Sequence, residues 1–378
     1  MPKIAVIGKS LRENEYRLPI HPQHLDDIPQ HLRKQMVFDS GYGEHFGRSD
    51  SDIRASGFCI EDRNTLMATS DIVVIAKPME PDLQAIKKQA LIWGWMHFVL
   101  YGHLADICIE RKHTVLTWEA MFEADAHADR PRHIFQGNNE LAGYAGTLHA
   151  LGLKGLDGFY GQNKKIAVIG HGYAGTAAIK ALQQRGFSDI TAYVQRPAEK
   201  IKAPIDGVTY IQITRNHEHG SVINHKNAPQ TPFWHALKTA DIIINCSAQN
   251  PENPLTYLPD QHIHAFDHDC LIIDISCDPG MGFSFLKPTT FDNPCYQIGH
   301  MTVVAVDHTP AYLWDAATWQ ISGEVKRFLP VIMGGIEAIK NNPTLSDAIE
   351  INNGQIVNPR IISYQKRSPE YPFSYLRP

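Results

Sequence analysis

The chain has 378 residues, of which 43% are hydrophobic and 20% charged, and its formal net charge is -5. This length allows two domains with separate cores, and the composition excludes a disordered or fibrous protein. The charge and the lack of a basic block argue against nucleic acid as a partner. The sequence shows no signal-peptide core and no apolar run near the roughly 18 residues that cross a bilayer, so we expect a cytoplasmic protein without membrane contact.

Cysteine and histidine patterns predict neither disulfides nor a metal centre. The six cysteines contain no CxxC pair, which favours reduced, mostly buried thiols. HExxH is missing, and the HxxxH pair His264 and His268 has no obvious third ligand. His217 and His219 are expected in a solvated polar loop.

The first part of the chain alternates apolar runs with helical segments, which predicts a doubly wound sheet. We predict a helix over 23–35, a strand over 36–39 and a helical turn from Ser51 to Ser56. The first apolar run ends in Gly-Lys-Ser, but it lacks the earlier glycine of a phosphate-binding loop. The remaining predicted strands of this part are Lys3 to Ile7, Ile72 to Ala76, Leu91 to Met96 and His113 to Trp118.

Two polar residues end neighbouring predicted strands. Lys77 follows one apolar run and Pro78 stops it, while His97 ends the next run, in GWMHF. Ligands of open α/β sheets bind outside the carboxyl ends of the strands. Both residues are therefore candidate site residues, although a strand-end lysine is often only solvated and a lone histidine is often part of a core.

The strongest motif is KKIAVIGHGYAG, which begins at Lys164. An apolar strand leads into Gly170, Gly172 and Gly175, then into an amphipathic helix and a second strand. In this context GxGxxG indicates a dinucleotide site: the first glycine allows a tight turn, the second lets the pyrophosphate approach and the third lets helix and strand pack closely. The alternative is a glycine-rich turn that binds nothing.

The strand after this motif ends in Val194-Gln195-Arg196. NAD enzymes usually place an acidic residue there to bind the ribose hydroxyls. An arginine suits a 2′-phosphate instead, so NADP(H) is favoured and NAD stays possible.

The surrounding segments suggest the domain plan. Residues 123–138 are polar and predict an interdomain loop; the helix over 140–153 carries Gly143 and Gly146 for close packing. A long helix from Ala311 is expected to stop at Pro330. We expect an α/β fold of two Rossmann-like doubly wound domains separated by a cleft, with 1–138 and 310–378 forming a substrate domain and 139–309 the dinucleotide domain.

Several segments together resemble the family of alanine dehydrogenase, saccharopine dehydrogenase (lysine-forming) and carboxyethylornithine synthase, over essentially the whole chain. They are NEYRLPIHP, GWMH, ELAGYAG, DISCDPG, KPTTFDNP, DHTPAYL and NNPTLSDAI. The resemblance implies a cytoplasmic homo-oligomer that acts on an amino acid and a 2-oxo acid.

The resemblance also implies site residues. Arg17 would bind a substrate carboxylate, together with Lys77 and His308, and the catalytic groups would be Lys77, His97 and Asp278. It also implies Asp278 as a cofactor contact. With the motif and the strand ends, the predicted cofactor contacts are Gly170, Gly172, Tyr173, Ala174, Gly175, Arg196, Cys246, Ser247 and Asp278.

Departures from the alanine dehydrogenase pattern bear on the substrate. Asn138 stands where those enzymes have a methionine, His308 is near their asparagine, and Arg196 replaces an aspartate. These differences favour an opine-type synthase that condenses a 2-oxo acid with an amino acid amine. The alternatives are an alanine dehydrogenase-like enzyme that uses ammonia and a non-catalytic NADP(H)-binding sensor.

Overall fold

The computed structural model describes residues 2–125, 131–216, 220–224, 228–278 and 280–376. His217 and His219, predicted to lie in a polar loop, are outside the described residues. The chain divides into two compact units: unit 1 comprises Met1–Gly137 and Trp314–Pro378, and unit 2 comprises Asn138–Leu313. Within the described ranges, no helix is both long and apolar enough to cross a membrane.

The strands in the described ranges are short: one has nine residues and the others have two to five. The strands in the described ranges are β1 (Ile4–Ile7), β2 (Met36–Asp39), β3 (Cys59–Glu61), β4 (Ile72–Ile75), β5 (Leu91–Gly94), β6 (Thr114–Thr117), β7 (Phe122–Glu123), β8 (Arg132–His133), β9 (Ile166–Ile169), β10 (Ile190–Val194), β11 (Val208–Asn216), β12 (Gly220–Ile223), β13 (Thr231–Pro232), β14 (Ile242–Asn245), β15 (Thr256–Leu258), β16 (Cys270–Asp274), β17 (Gly282–Phe283), β18 (Cys295–Ile298), β19 (Met301–Val304), β20 (Ile349–Asn352) and β21 (Gln355–Ile356).

Two of the α-helices are much longer than the rest, α6 and α9. The α-helices in the same ranges are α1 (Gln30–Arg33), α2 (Asp50–Ala55), α3 (Arg63–Thr69), α4 (Glu80–Ala85), α5 (Gly102–Glu110), α6 (Gln136–Leu153), α7 (Tyr173–Gln184), α8 (Trp234–Leu237), α9 (Trp314–Met333), α10 (Ile336–Lys340), α11 (Pro343–Ser346) and α12 (Pro359–Tyr364). Short 3-10 helices are Pro22–Asp27, Glu44–Phe46, Trp118–Ala120, Ala198–Lys200, Asp260–Ala265 and Thr309–Leu313.

Unit 1 is built on a sheet in the order β21-β20-β6-β5-β4-β1-β2-β3. The strands from β3 to β6 are parallel, whereas β20 and β21 are antiparallel additions at one edge. Strand β1 shows why the sheet is buried on both sides: Ile4 and Val6 belong to one apolar cluster, and Ala5 and Ile7 belong to another. The direction of winding reverses between β1 and β4, so a crevice is expected at their carboxyl ends.

Unit 2 repeats this order in the sheet β13-β12-β11-β10-β9-β14-β16-β19-β18. Its strands from β11 to β19 are parallel, and β9 lies at the reversal. Ile166 and Val168 of β9 pack in one cluster, while Ala167 and Ile169 pack in another. When its six parallel strands are numbered in chain order, the sheet has the order 3-2-1-4-5-6, which is that of a dinucleotide-binding Rossmann fold. The predicted class of two Rossmann-like doubly wound units is confirmed.

Two helix predictions are wrong because of proline. The predicted helix over 23–35 is split into the 3-10 helix Pro22–Asp27 and α1, since Pro29 forces Ile28 into an extended conformation at φ -74° and ψ 128°. Pro330 does not stop the long helix either: α9 continues to Met333. The proline falls in the last turn, where one helical hydrogen bond is lost and burial of Ile332 and Met333 offsets the cost.

The predicted loop over 123–138 is also partly wrong. Short strands β7 and β8 pair within it, and α6 begins at Gln136. Residues 126–130 lie outside the described ranges. The close packing predicted for α6 is confirmed, because a side chain on Gly143 would lie 1.9 Å from the carbonyl oxygen of Ala174 and one on Gly146 would lie 2.4 Å from Ile275.

Candidate functional site

The turn between β9 and α7 has the backbone shape that a dinucleotide needs. Gly170 has a φ of +99°, and a side chain there would meet the carbonyl oxygen of Cys246 at 2.9 Å. A side chain on Gly175 would lie 2.3 Å from the carbonyl oxygen of Gly170, whereas one on Gly172 would meet nothing within 4 Å. The first and third glycines are therefore required by packing, and the second leaves open space at the helix N-terminus. Open space beside unshielded N–H groups fits a pyrophosphate.

A buried hydrogen-bond network shapes the neighbouring strand ends. Asn245, the last residue of β14, donates to Oδ2 of Asp274 at 3.0 Å and accepts from the backbone N–H and hydroxyl of Ser247 at 3.2 and 2.7 Å. The hydroxyl of Tyr257 donates to Ser247 at 3.0 Å. Asp274 also accepts from the backbone N–H of Cys277 at 2.7 Å. These bonds hold the loops after β14 and β16 in fixed positions beside the glycine turn.

Two carboxyl groups in this region titrate near neutral pH. Burial raises the pKa of Asp274 to about 7, even though three donors stabilise its charged form. Burial also raises the pKa of Asp278 to about 6. Asp278 follows Cys277, whose φ is +54°. A strained backbone and a shifted carboxyl group at a strand end are typical of a functional site.

Arg196 is exposed just beyond β10, on the edge that carries the glycine turn. Burial lowers the pKa of His171, which lies within that turn, and the charge of Arg196 lowers it further. The arginine therefore acts electrostatically on the glycine turn, at the strand end where a ribose is usually bound.

His308 lies after β19 at the same edge of the sheet in unit 2. Its Nδ1 is 2.8 Å from Oδ1 of Asp307, and its ring packs on Phe291 with 4.6 Å between centroids. Phe291 packs in turn on Tyr312. His308 is thus buried and held in one orientation by a carboxylate and an aromatic ring.

In unit 1, Lys77 and His97 follow the paired strands β4 and β5. The carbonyl of Lys77 accepts from the hydroxyl of Ser10 at 2.6 Å, which ties the loops after β1 and β4 together. His97 has a φ of +50°, a left-handed conformation that is uncommon outside glycine. Both residues are half-buried at the carboxyl edge of the sheet.

A carboxyl group from the next strand end holds the loop of His97. Glu119 accepts from the backbone N–H groups of Met96 and His97. Glu119 interacts electrostatically with a second carboxyl group, that of Glu350. Glu350 lies where the pairing of β20 with β6 is irregular, and it accepts a hydrogen bond from Asn358 at 2.7 Å. Burial raises the pKa of both carboxyl groups, and mutual repulsion raises that of Glu119 further.

Arg17 is buried, with 3% exposure, and it is paired with Glu15. Its Nε and a terminal nitrogen contact the two carboxylate oxygens at 2.7 and 2.5 Å, and the guanidinium lies 5.1 Å from the centre of the Trp95 ring. Arg17 is therefore not a surface arginine. A substrate carboxylate at Arg17 would share the guanidinium with Glu15.

Several of these residues are not among the predicted site residues. Asn245 and Asp274 each end an apolar strand, the same local pattern that marks Lys77. Glu119 directly follows the predicted strand His113 to Trp118, and nothing in the sequence indicates that it meets the N–H of His97. No three His, Cys, Asp or Glu side chains are grouped so as to hold a metal ion in the part of the chain that the structure describes.

These features define the class of this protein. It has two Rossmann-type units, and the second unit carries a dinucleotide-binding turn. The chain then matches two family models, the alanine dehydrogenase/PNT N-terminal domain over residues 7–131 and its C-terminal domain over residues 148–359. It therefore belongs to the alanine dehydrogenase/PNT family, and the family recognised from the sequence is confirmed.

Curated relatives agree with this assignment. N(5)-(carboxyethyl)ornithine synthase of Clostridium botulinum is 22% identical over 320 residues, which cover 82% of this chain and 88% of that protein. Alanine dehydrogenase 1 of Staphylococcus aureus is 21% identical over 369 residues, covering 95% and 96%. At this identity the relatives agree with the family and do not establish the substrate.

Solved structures show the same fold. An L-alanine dehydrogenase aligns with a TM-score of 0.76 and 16% identity, covering 96% of this chain and 98% of that one. A transhydrogenase from Sinorhizobium meliloti aligns with a TM-score of 0.70 and 15% identity, covering 94% and 99%. The predicted enzyme class, an NAD(P)-dependent dehydrogenase, and its nicotinamide dinucleotide cofactor are therefore confirmed at the level of the family.

Replacing Gly172 with alanine tests the phosphate position. Because a side chain there meets nothing within 4 Å, we expect an unchanged melting temperature but a cofactor dissociation constant raised about 10- to 100-fold, the effect of one or two lost charge-assisted hydrogen bonds. Gly175→Ala is the contrasting variant and should lower both stability and affinity. Unchanged cofactor binding in Gly172→Ala would show that the phosphate lies elsewhere.

The carboxyl pair of unit 1 should make stability depend on pH. The folded protein keeps protons that the unfolded chain releases above the ordinary glutamate pKa of 4.5, so stability falls as pH rises from there through neutrality. Glu350→Gln should remove part of that loss, about 2 kcal/mol in favour of the variant at pH 8 relative to pH 5.

Thermal and urea unfolding at the two pH values would measure this difference. Glu337→Gln, at an exposed glutamate of unit 1, is the matched control and should follow the wild type. The same pH dependence in Glu350→Gln and in the wild type would contradict the assignment.

Proposed function

We propose that this protein reductively condenses a 2-oxo acid with the amine of an amino acid, using NADPH. The balanced reaction joins the amine, the oxo acid, NADPH and a proton to give a secondary amine, NADP+ and water. The observation that carries the proposal is the placement of Lys77 and His97 at the ends of paired strands, with Glu119 binding the N–H of His97. The likeness to a carboxyethylornithine synthase supports the same reaction type.

His97 serves as the general acid and base. It takes a proton from the attacking nitrogen and returns one to the hydroxyl group that leaves as water, because a histidine ordinarily titrates near neutral pH. Lys77 stabilises negative charge on the carbonyl oxygen. Arg17, Lys77 and His308 bind substrate carboxylates, and Arg17 does so while sharing its charge with Glu15.

The chain's own residues fit the cofactor. Gly170, Gly172, Tyr173, Ala174 and Gly175 form the turn and first helical residues that bind the pyrophosphate. Cys246 and Ser247 form the opposing strand end, Arg196 binds the 2′-phosphate, and Asp278 orients the nicotinamide ribose. Bound there, the nicotinamide would supply the hydride that reduces the carbon–nitrogen double bond.

An alanine dehydrogenase-like reaction with ammonia is the second candidate, favoured by the likeness to alanine dehydrogenases over nearly the full chain. Asn138, which is buried, and His308 depart from the alanine dehydrogenase pattern. These departures favour the larger amine. A non-catalytic NADP(H) sensor is the third candidate; retention of Lys77, His97 and Asp278 argues against it.

The test follows NADPH oxidation with pyruvate or 2-oxoglutarate, adding ammonia, lysine, ornithine or arginine in turn, and identifies the product by mass. Turnover that needs an amino acid and yields a secondary amine is expected. Turnover with ammonia alone would establish the second candidate. NADPH binding without turnover by any pair would establish the sensor.

His97→Asn tests the acid–base role without disturbing the loop. Asparagine tolerates the left-handed backbone that His97 adopts, yet it cannot exchange a proton near neutral pH. We expect kcat to fall about 100-fold or more. His103→Asn, at an exposed position nearby, should keep full activity. Full activity in His97→Asn would exclude the proposed role.

Arg196→Asp tests the cofactor choice. Removing the positive charge should raise the dissociation constant of NADPH about 10- to 100-fold, the value of a charge-assisted bond, and leave NADH binding unchanged or tighter. Fluorescence titration with both cofactors measures this. Lys180→Asp makes the same charge change at an exposed position on α7 and should alter neither. Equal losses for NADPH and NADH in Arg196→Asp would contradict a 2′-phosphate contact.

A further inference from the structure

The segment after His97 is held by residues from the far end of the chain. The side-chain amide of Gln365 donates to the carbonyl oxygens of Phe98 and Val99, at 2.5 and 3.3 Å. Both carbonyls belong to the turn that starts at His97. The turn is closed by the carbonyl of His97, which accepts from the N–H groups of Leu100 and Tyr101. Both ends of the contact lie in unit 1.

Arg367 orients the amide of Gln365. Its Nε donates to Oε1 of Gln365 at 2.5 Å, which fixes the amide nitrogen toward the two carbonyls. A terminal nitrogen of Arg367 donates to the carbonyl of Gly102 at 3.1 Å, where the turn ends and α5 begins. The arginine is 3% exposed, and it pairs with Asp106 of α5 at 2.7 Å.

The tail beyond Arg367 contributes Tyr375, which contacts both Arg367 and Asp106. Tyr375 accepts from Arg367 at 2.6 Å, donates to Asp106 at 3.2 Å and lies with its ring 4.1 Å from the guanidinium carbon. A side chain on Gly102 would meet the hydroxyl of Tyr375 at 2.4 Å. Contacts this close to the backbone leave the turn little freedom. The family models match residues 7–131 and 148–359, so all of these tail residues lie beyond them.

We infer that Gln365, oriented by Arg367, is a positioning residue for His97: the C-terminal segment fixes the turn that carries the acid–base group. The inference rests on the proposed function in that His97 handles protons there. Glu119 accepts from the N–H of His97, and Gln365 donates to the carbonyls of the next two residues, so the turn that begins at the left-handed residue is bound from both sides. A displacement of about 1 Å at a reacting group can cost about 100-fold in rate.

Two variants of Gln365 disrupt its hydrogen bonds to the turn to different degrees. Gln365→Met keeps the length of the side chain and removes the donor, whereas Gln365→Glu also places a negative oxygen against the carbonyls of Phe98 and Val99. We expect kcat to fall about 10-fold in the methionine variant and about 100-fold in the glutamate variant. KM for the oxo acid and the dissociation constant of NADPH should stay within about two-fold. Gln355→Ala, at an exposed glutamine of β21, is the control and should match the wild type.

A second readout needs no turnover. In protein labelled at histidine, the ring signal of His97 is assigned by its disappearance in His97→Asn and followed by NMR as pH is varied. We expect its titration midpoint to move in Gln365→Glu and the pH–rate profile to move with it. A role that is only structural would lower the melting temperature and leave both pH curves in place, and that result would overturn the inference.

Different results would contradict the proposed function and the positioning role of Gln365. If no amine and oxo acid pair is turned over by the wild type, the proposed function fails and the ring titration alone decides the inference. If the wild type is active and Gln365→Glu has wild-type kcat and ring titration, the inference fails and the proposed function stands.

Discussion

Parallel strand pairing is the constraint on which the rest of the structure depends. Each parallel neighbour needs a crossover connection, so every strand of the parallel block ends at the same edge of its sheet. In unit 1 this brings the loops after β1, β4, β5 and β6 together, with Ser10, Lys77, His97 and Glu119. In unit 2 it does the same for the glycine turn, Ser247 and Asp278. Residues far apart in the chain meet because of winding order, and no local interaction would bring them together.

The same winding order serves different ends in the two units. In unit 1 the N–H groups of Gly8 and Lys9, which follow β1, donate to the carboxylate of Asp39 at the end of β2, at 2.8 and 3.3 Å. That carboxylate occupies donors that a phosphate would use. In unit 2 the N–H of Gly170 donates to the carbonyl of Tyr193, and the space beside Gly172 is open. In unit 1 the turn after the first strand is therefore occupied by the side chain of Asp39, whereas in unit 2 the corresponding turn is open.

What the sequence could predict follows from the range of the interactions. Strand positions, the roles of Gly170 and Gly175, and the strand-end placement of Lys77 and His97 depend on local patterns, and the structure agrees with them. The split at Pro29 also has a local cause, since the residue before a proline favours an extended conformation, but it was not predicted. The contacts of Glu119 and Gln365 with the turn of His97 could not be predicted: they span 22 and 267 residues, and neither polar residue has a sequence signature. Glu15 and Arg17 are only two residues apart, yet their pairing depends on the burial of both, which the sequence does not indicate.

Buried carboxyl groups perform a common task in the two units, and this explains why they are kept at a cost in stability. His97 and Cys277 both have left-handed backbones, with φ of +50° and +54°. Each donates its N–H to a carboxyl group whose pKa is raised by burial, Glu119 in one unit and Asp274 in the other. Strained backbone persists only where the surroundings fix it, and a buried N–H group that lost its acceptor would cost about 1–3 kcal/mol. In both units the residue so fixed lies at, or directly before, a proposed catalytic side chain: His97 itself in unit 1 and Asp278 in unit 2. The cost of burying each carboxyl group is thus the cost of holding one reactive side chain at the edge of its sheet.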